Sequence, residues 1–445
     1  MSGFSSSFVN FHDRFSKFFV TQTRSVVIQS FHYLSGLFQA NRKNMERMVE
    51  AVAESDWQPM QHFISNSPWQ HCLVQDQIAR DADRLLGGSP DVGFIFDETS
   101  IPKKGDKSVG VARQWCGRLG KVENNQTAVF GALSMGPHVT LIAERLYLPK
   151  VWTDDKKRCK KAGVPDDIEF KSKSQLALEM IQDARAKRIR FTWVGFDGGY
   201  GKEPDFLTAL DKAGETFMAD VHKDQTIYLE DPAPYLPEKK SKGRTPTRLV
   251  AATASMRVDK WAASQPEESW QRIAFRESTK GRLQADFLTM RIWTWNESEI
   301  KGRLRHLIVR REIGAKEEIK YSLSNAAENT SVDRLAFMQG QRYFVERAFQ
   351  DAKSNVGLDH YQVRGWQAWH SHMTMVMLAM LYMLETRMAN KENHPLLSCP
   401  DIVDLLSHFL PRKDVTEEEV LRQMETRHRQ RQAAIDFAYA KQRGG

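Results

Sequence analysis

Three carboxylates in this chain stand where their surroundings give them something to do. The segment VGFIFDETS carries Asp97, FTWVGFDGGYG carries Asp197, and QRYFVERAFQDAK centres on Glu346. The first two aspartates close short apolar runs of strand character, and the glutamate lies in a segment with helical spacing. Strand, strand and helix is an arrangement that can hold two divalent metals against a phosphodiester. Breaking that bond needs an activated water or hydroxyl on one side and a stabilised leaving oxygen on the other, and two metals roughly 3.5–4 Å apart supply both. Mg²⁺ takes oxygen ligands, typically one or two protein carboxylates plus phosphate and water. In such a site Asp97 bridges both ions while Asp197 and Glu346 hold one each. Gly198 and Gly199 follow Asp197 directly, where a sharp turn and close backbone approach are expected.

The glutamate segment adds a second signal. Arg342, Glu346 and Lys353 are spaced by four and seven residues, which at about 100° per residue puts them on one stripe of a helix. A carboxylate flanked by two cations suits a metal-plus-phosphate site. The same spacing also describes an ordinary solvated face with intrahelical ion pairs, and a lone aspartate after a strand is commonly a turn or cap residue.

With these residues in view, the chain resembles bacterial insertion-sequence transposases of the DDE type, the IS701 group within the IS4-like set. The resemblance spans nearly the whole chain and is most specific in residues 97–130 (DETSIPKKGDKSVGVARQWCGRLGKVENNQTAVF), 195–201 (GFDGGYG) and 346–373 (ERAFQDAKSNVGLDHYQVRGWQAWHSHM). It implies that Asp97, Asp197 and Glu346 are the catalytic and metal-binding triad, and that Arg342 and Lys353 contact DNA phosphate. Relatives carry a tyrosine three residues before the arginine; here Gln339 stands there, and Tyr343 lies on a different helical face. The implied cofactor is Mg²⁺, two ions, with Mn²⁺ able to substitute.

Composition agrees with a polyanionic partner. The 445 residues carry a formal charge of +8, with an isoelectric point near 9.1, and a chain this long implies roughly two to four domains. Two basic runs stand out: Lys156, Lys157, Arg158, Lys160 and Lys161, then Lys239, Lys240, Lys242, Arg244 and Arg248. Either is a candidate for DNA contact or a solvated loop. The four cysteines, Cys72, Cys116, Cys159 and Cys399, are scattered with no C-x-x-C pair, so a zinc ribbon or redox motif is not expected; they read as reduced cytosolic thiols. No signal peptide is expected at the N-terminus. The most apolar stretch, 373–384, is far short of the about 20 residues that span a bilayer and reads as a buried helix covering the catalytic sheet. Cytoplasmic, nucleoid-associated residence follows as an expectation, with no membrane partner.

The elements fall into blocks. Residues 1–90 look helical, with apolar patches at Phe31, Leu34, Leu37 and Phe38 and at Met45, Met48, Val49 and Val52, then a helix over 76–86 stopped by Gly87 and Gly88. From residue 91 the pattern is β: strands at 92–96, 128–133 and 139–148, a helix capped by Ser174 and running to about 187, a strand at 191–196 and a helix at 205–213. This order, with a late acidic helix, matches a ribonuclease-H-like α/β core: residues 91–220 as its first part, 221–332 as a β-rich insertion, 333–386 as its second part with the glutamate helix. Strands are expected in the insertion at 227–229, 272–276, 285–293 and 307–309. Trp293 and Trp295 lie there; in related transposases an insertion tryptophan stacks on an extruded base, and a core or edge-strand role is equally open. Residues 387–445 form a helical C-terminal region, with Thr416 and Glu419 opening a capping box.

Taken together, the resemblance implies a transposase that cleaves the ends of its own element, at terminal inverted repeats in double-stranded DNA, and joins the 3′-hydroxyls to target DNA as a homodimer. It implies a DNA-contacting role for residues 1–90 and a role in pairing protomers or holding DNA ends for the C-terminal helix. A metal-dependent nuclease without strand transfer, or a non-catalytic DNA-binding regulator derived from a transposase, are the alternatives.

Overall fold

The computed structural model describes residues 3–239, 244–278, 281–314 and 318–443. Lys240 and Lys242 of the second basic run lie outside the described residues. Contacts divide the chain into two compact units, Met1–Val74 with Ala352–Gly445, and Gln75–Asp351.

The second unit is built on a twelve-stranded mixed sheet. Its first six strands are β1 (Gly93–Pro102), β2 (Ala112–Cys116), β3 (Lys121–Met135), β4 (His138–Leu146), β5 (Trp193–Phe196) and β6 (Phe217–Val221). β4, β3 and β1 are antiparallel neighbours, and β1, β5 and β6 run parallel. An antiparallel meander followed by two parallel strands, in the order β4-β3-β1-β5-β6, is the ribonuclease-H-like core that the sequence predicts. β1 and β5 read as continuous apolar runs because they are central strands, covered on both faces; Phe94, Ile95, Phe96, Val194 and Phe196 are all fully buried.

The insertion supplies β7 (Thr226–Tyr228), β8 (Ser255–Arg257), β9 (Gln271–Ser278), β10 (Gly281–Thr294), β11 (Arg303–Glu312) and β12 (Ile319–Ser324). All four strands expected there are present. The sequence reading missed β8 and β12, and β12 matters most, because it pairs antiparallel with β6 and so continues the core sheet into the insertion. Trp293 pairs across strands with Tyr228 and Leu304. The indole N–H of Trp295 donates to the Glu299 carbonyl at 2.7 Å. Both tryptophans are thus engaged within the insertion.

Two local expectations are corrected. The helix that leads into β5 spans Lys173–Ala186, and its cap is Ser172, in a reciprocal capping box with Gln175; Ser174 instead donates to Glu203. Gly198 and Gly199 do not make a sharp turn but open a short helix, Gly198–Gly201. The close approach falls on Gly201, where a Cβ would lie 1.9 Å from the Asp220 carbonyl oxygen.

The first unit is helical. Phe8, Phe38 and Tyr382 meet edge-on, and Phe63 stacks on Trp69. The apolar stretch at 373–384 lies in the helix Trp366–Ala389, buried along most of its length. The sequence places it on the catalytic sheet, but its main packing partners are the helices Val27–Gln39 and Trp57–Ser65 of its own unit. Among the described residues no helix is long and apolar enough to cross a membrane. None of the four cysteines is joined in a disulfide.

Candidate active site

Register builds the site. In the parallel pairing of β1 with β5, Ile95 stands opposite Gly195; two residues further along each strand come Asp97 and Asp197. In the pairing of β5 with β6, Phe196 stands opposite Ala219; one residue further come Asp197 and Asp220. The three aspartates therefore lie at one level across three adjacent parallel strands, midway along β1, just past the end of β5 and near the end of β6.

Glu346 arrives from another element. The helices Val332–Gln341 and Tyr343–Val356 follow one another with Arg342 between them in helical conformation. The expected stripe holds at its first step: the Arg342 Nη2 is 2.9 Å from Glu346 Oε1. The same guanidinium pairs through Nε with Asp220 Oδ2 at 2.8 Å and lies 3.9 Å from Asp97 Oδ2. One cation thus holds carboxylates from β6 and the glutamate helix and faces a third on β1. Lys353 stands seven residues beyond Glu346 on that helix, half-buried.

The electrostatics follow from this crowding. Burial raises the Asp97 carboxyl from 3.8 to about 7; Asp197 and Glu346 push it the same way, against Arg342 and the Glu98 N–H. Burial opposes the charge on Arg342, but Asp220, Glu346, Asp97 and Asp197 more than reverse this and raise its pKa. Asp197 caps the short helix after β5, accepting from the Gly199 N–H at 2.9 Å, so the cap reading of this residue holds alongside its place in the row. Tyr200 is buried beneath the row, packed on Phe196 and Phe206.

Asp220 was missed by sequence reasoning. Its Oδ1 accepts from Ser322 Oγ on β12 at 2.6 Å, and Ser322 accepts in turn from Gln339 Nε2 at 2.8 Å. Gln339 is therefore buried in a chain running Gln339–Ser322–Asp220–Arg342. Tyr343 is exposed, its ring under the Arg276 guanidinium at 3.6 Å.

Among the described residues, no group of three or more His, Cys, Asp and Glu side chains closes tightly enough to hold a metal as the side chains stand. The donor chemistry nevertheless fits a hard cation. The row is all carboxylate oxygen, Asp97 is held in a repulsive field that a positive ion relieves, and the Glu346 side chain is 51% exposed.

The ribonuclease-H-like core thus carries a row of acidic residues across three adjacent parallel strands. The family model described as "DDE superfamily endonuclease" matches residues 21–282, and the chain belongs to that family. The match includes Asp97 and Asp197 and ends before the glutamate helix. A curated relative, "Probable transposase for insertion sequence element IS701" from Microchaete diplosiphon, is 24% identical over 227 residues, 50% of this chain and 56% of that protein; the chain thus spans little more than half of the relative's length. Among solved structures, the NurA nuclease from Sulfolobus solfataricus aligns over 63% of this chain and 85% of its own, with a TM-score of 0.28 and 10% identity, a likeness too slight to carry an argument.

Proposed function

We propose that this protein is a DDE transposase that cleaves the ends of its own insertion sequence and joins the freed 3′-hydroxyls to target DNA. The observation that carries the reading is the alignment of Asp97 with Asp197 at one level of the sheet, with Glu346 drawn in through Arg342. The similarity to a transposase of the IS701 element supports it.

Asp97, Asp197 and Glu346 would hold the metal, two Mg²⁺ with Mn²⁺ able to substitute, which when bound activates the attacking oxygen and stabilises the leaving one. To join them, Glu346 leaves its ion pair with Arg342. Arg342, still fixed to Asp220, then offers its remaining donors to phosphate as a planar fork, and Lys353 contributes a point charge further along the helix. In cleavage, water adds to phosphorus and the 3′-oxygen departs; in joining, that 3′-hydroxyl adds to a target phosphodiester and the target's own 3′-oxygen departs, with no covalent bond to the protein. The substrates are double-stranded DNA, the terminal inverted repeats and the target, bridged by a homodimer. Residues 1–90 and the C-terminal region 387–445 contribute DNA and protomer contacts, and the 221–332 insertion lies in sequence between the strands that carry Asp97 and Asp197 and the glutamate helix.

The test is substitution of the triad. Asp97→Asn, Asp197→Asn and Glu346→Gln each keep size and remove a charge, so each is expected to abolish cleavage and joining while end binding persists on distributed phosphate contacts. Wild-type cleavage by any of the three under Mg²⁺ removes that residue from the site. A protein that cuts ends but cannot join a pre-cleaved end is a nuclease rather than a transposase.

A further inference from the structure

Beside the carboxylate row, β9, β11 and the glutamate helix enclose a cavity of about 140 Å³. Four cations line it, Arg276, Arg310, Lys320 and Arg342, against the three carboxylates Asp220, Glu312 and Glu346. Arg342 is shared with the site described above. It already answers Asp220 and Glu346, and Arg310 answers Glu312 through Nη2 at 3.0 Å.

The remaining donors point to a ligand. Arg310 is 7% exposed, and its Nε has no hydrogen-bond partner among the described residues; the Nε of Arg276 is likewise buried and unpartnered. A buried guanidinium N–H left unmade is costly. Both guanidinium planes are fixed by aromatic faces, Arg276 over Tyr343 at 3.6 Å and Arg310 over Phe275 at 4.7 Å, so two flat forks are held ready at one cavity. Burial weakens the charged forms of Arg276 and Arg310, where carboxylates strengthen that of Arg342. Arg310 has one carboxylate, Glu312, on a single nitrogen, and its Nε and that of Arg276 are left for a further anion.

We propose that this cavity seats a phosphate group of the DNA strand held at the carboxylate row, with Arg276 and Arg310 as its donors. The proposal rests on the DNA-cutting reading for the identity of the strand, and phosphate is the anion a paired guanidinium fork fits. The source is either an internal phosphodiester beside the cut or a terminal 5′-phosphate.

The experiment uses the full chain without divalent metal and a fluorescent duplex with a recessed end, prepared with a 5′-phosphate or a 5′-hydroxyl. Binding is measured against salt for the wild type, Arg276→Gln and Arg310→Met. Each variant is expected to bind several-fold more weakly and to lose about 0.9 from the magnitude of the log–log salt slope, the amount one phosphate contact contributes. If the terminal phosphate is the ligand, the wild type prefers the phosphorylated duplex and the variants do not. If an internal phosphodiester is the ligand, the variants lose equally on both duplexes. Arg310 is deeply buried; should Arg310→Met fail to fold, half-buried Arg276 decides through Arg276→Gln alone. Folded variants with wild-type affinity and slope overturn the proposal. Metal-dependent cleavage is scored separately: a wild type that cuts DNA while its pocket variants bind normally refutes the pocket only, and one that never cuts while its variants lose a phosphate contact refutes the function only.

Discussion

Replacing Asp97 with asparagine should make the metal-free protein more stable as it makes it inactive. Asp97 lies on a central strand with 15% of its side chain exposed. Burial first, then the charges of Asp197 and Glu346, raise its carboxyl from 3.8 to about 7. Between those two pH values the fold keeps a proton that the unfolded chain has lost, so stability falls as pH rises; above about 7 both states are ionised and the whole cost stands. Three pH units at about 1.36 kcal/mol each set that cost at no more than about 4 kcal/mol. Asparagine keeps the shape, and its oxygen can still accept from the Glu98 N–H as Asp97 does at 2.7 Å, but it has no charge to bury. Asp97→Asn should therefore melt up to about 7 °C higher than wild type in alkaline, metal-free buffer, with the gap closing as pH falls toward 4. Mg²⁺ should raise the wild-type melting point more than the variant's, because the variant lacks one of the three carboxylate charges the ion would neutralise. Differential scanning calorimetry at several pH values, with and without Mg²⁺, measures all of this. If Asp97→Asn melts at or below wild type in alkaline metal-free buffer, the carboxylates are not held in mutual repulsion and the electrostatic case for a metal site collapses.

Other consequences are tested more briefly. Asp220→Asn loosens Arg342 without removing a triad member, and should slow metal-dependent cleavage by about 10–100-fold, as loss of a supporting contact does, with DNA affinity intact; an unchanged rate shows that Arg342 needs no anchor. Arg342→Lys keeps the charge and loses the fork, so cleavage should slow at an unchanged metal optimum, and if Arg342→Ala cuts like wild type the phosphate role of this residue is wrong. Gly201→Ala drives a methyl into the Asp220 carbonyl and should cost about 1–3 kcal/mol in denaturant unfolding; full stability would show that the backbone has room to give. Lys156, Lys157, Lys160 and Lys161 are exposed on the helix Lys156–Ala162, while Arg158 is taken up by Trp152 and the Asp106 carbonyl; neutralising the four lysines should flatten the salt slope by about 0.9 for each one that touches phosphate, and an unaltered slope marks a solvated helix.

What the sequence revealed and what it hid divide along a physical line. The strands carrying Asp97 and Asp197 were legible because central parallel strands are buried on both faces and read as unbroken apolar runs ending in an acid. The step from Arg342 to Glu346 was legible because helical spacing is local. Asp220 was not, since its strand, FMADV, shows no glycine turn after the acid and its meaning comes from register with β5, a pairing between segments apart in sequence. β12 was hidden for the same reason: IKYSLS alternates weakly, and its importance is that it lies beside β6. The cap at Ser172 rather than Ser174 turned on which serine had a glutamine three residues ahead, a signal present in the sequence and passed over. The apolar stretch at 373–384 announced burial but not its partner, because a helix apolar all round carries no face to point with.

Four carboxylates crowd one site, yet the triad needs three, and their surroundings divide the roles. Asp220 is spoken for: one oxygen accepts from Ser322 and the other pairs with Arg342 at 2.8 Å. Both partners are themselves held, Ser322 by Gln339 and Arg342 by its position between two helices. Asp97 has one oxygen on a backbone N–H, and its other oxygen is 3.9 Å from Arg342, too far for a direct hydrogen bond. Asp197 is bonded through one oxygen only to backbone N–H groups at the start of a short helix. An incoming cation therefore meets two aspartates with coordinating capacity to spare and one without, and Glu346, bound to the same arginine on an exposed side chain, can move to complete the set. Gln339, bonded to Ser322, extends the anchor of Asp220 into the buried interior, and through Asp220 helps to fix the arginine four residues before the glutamate.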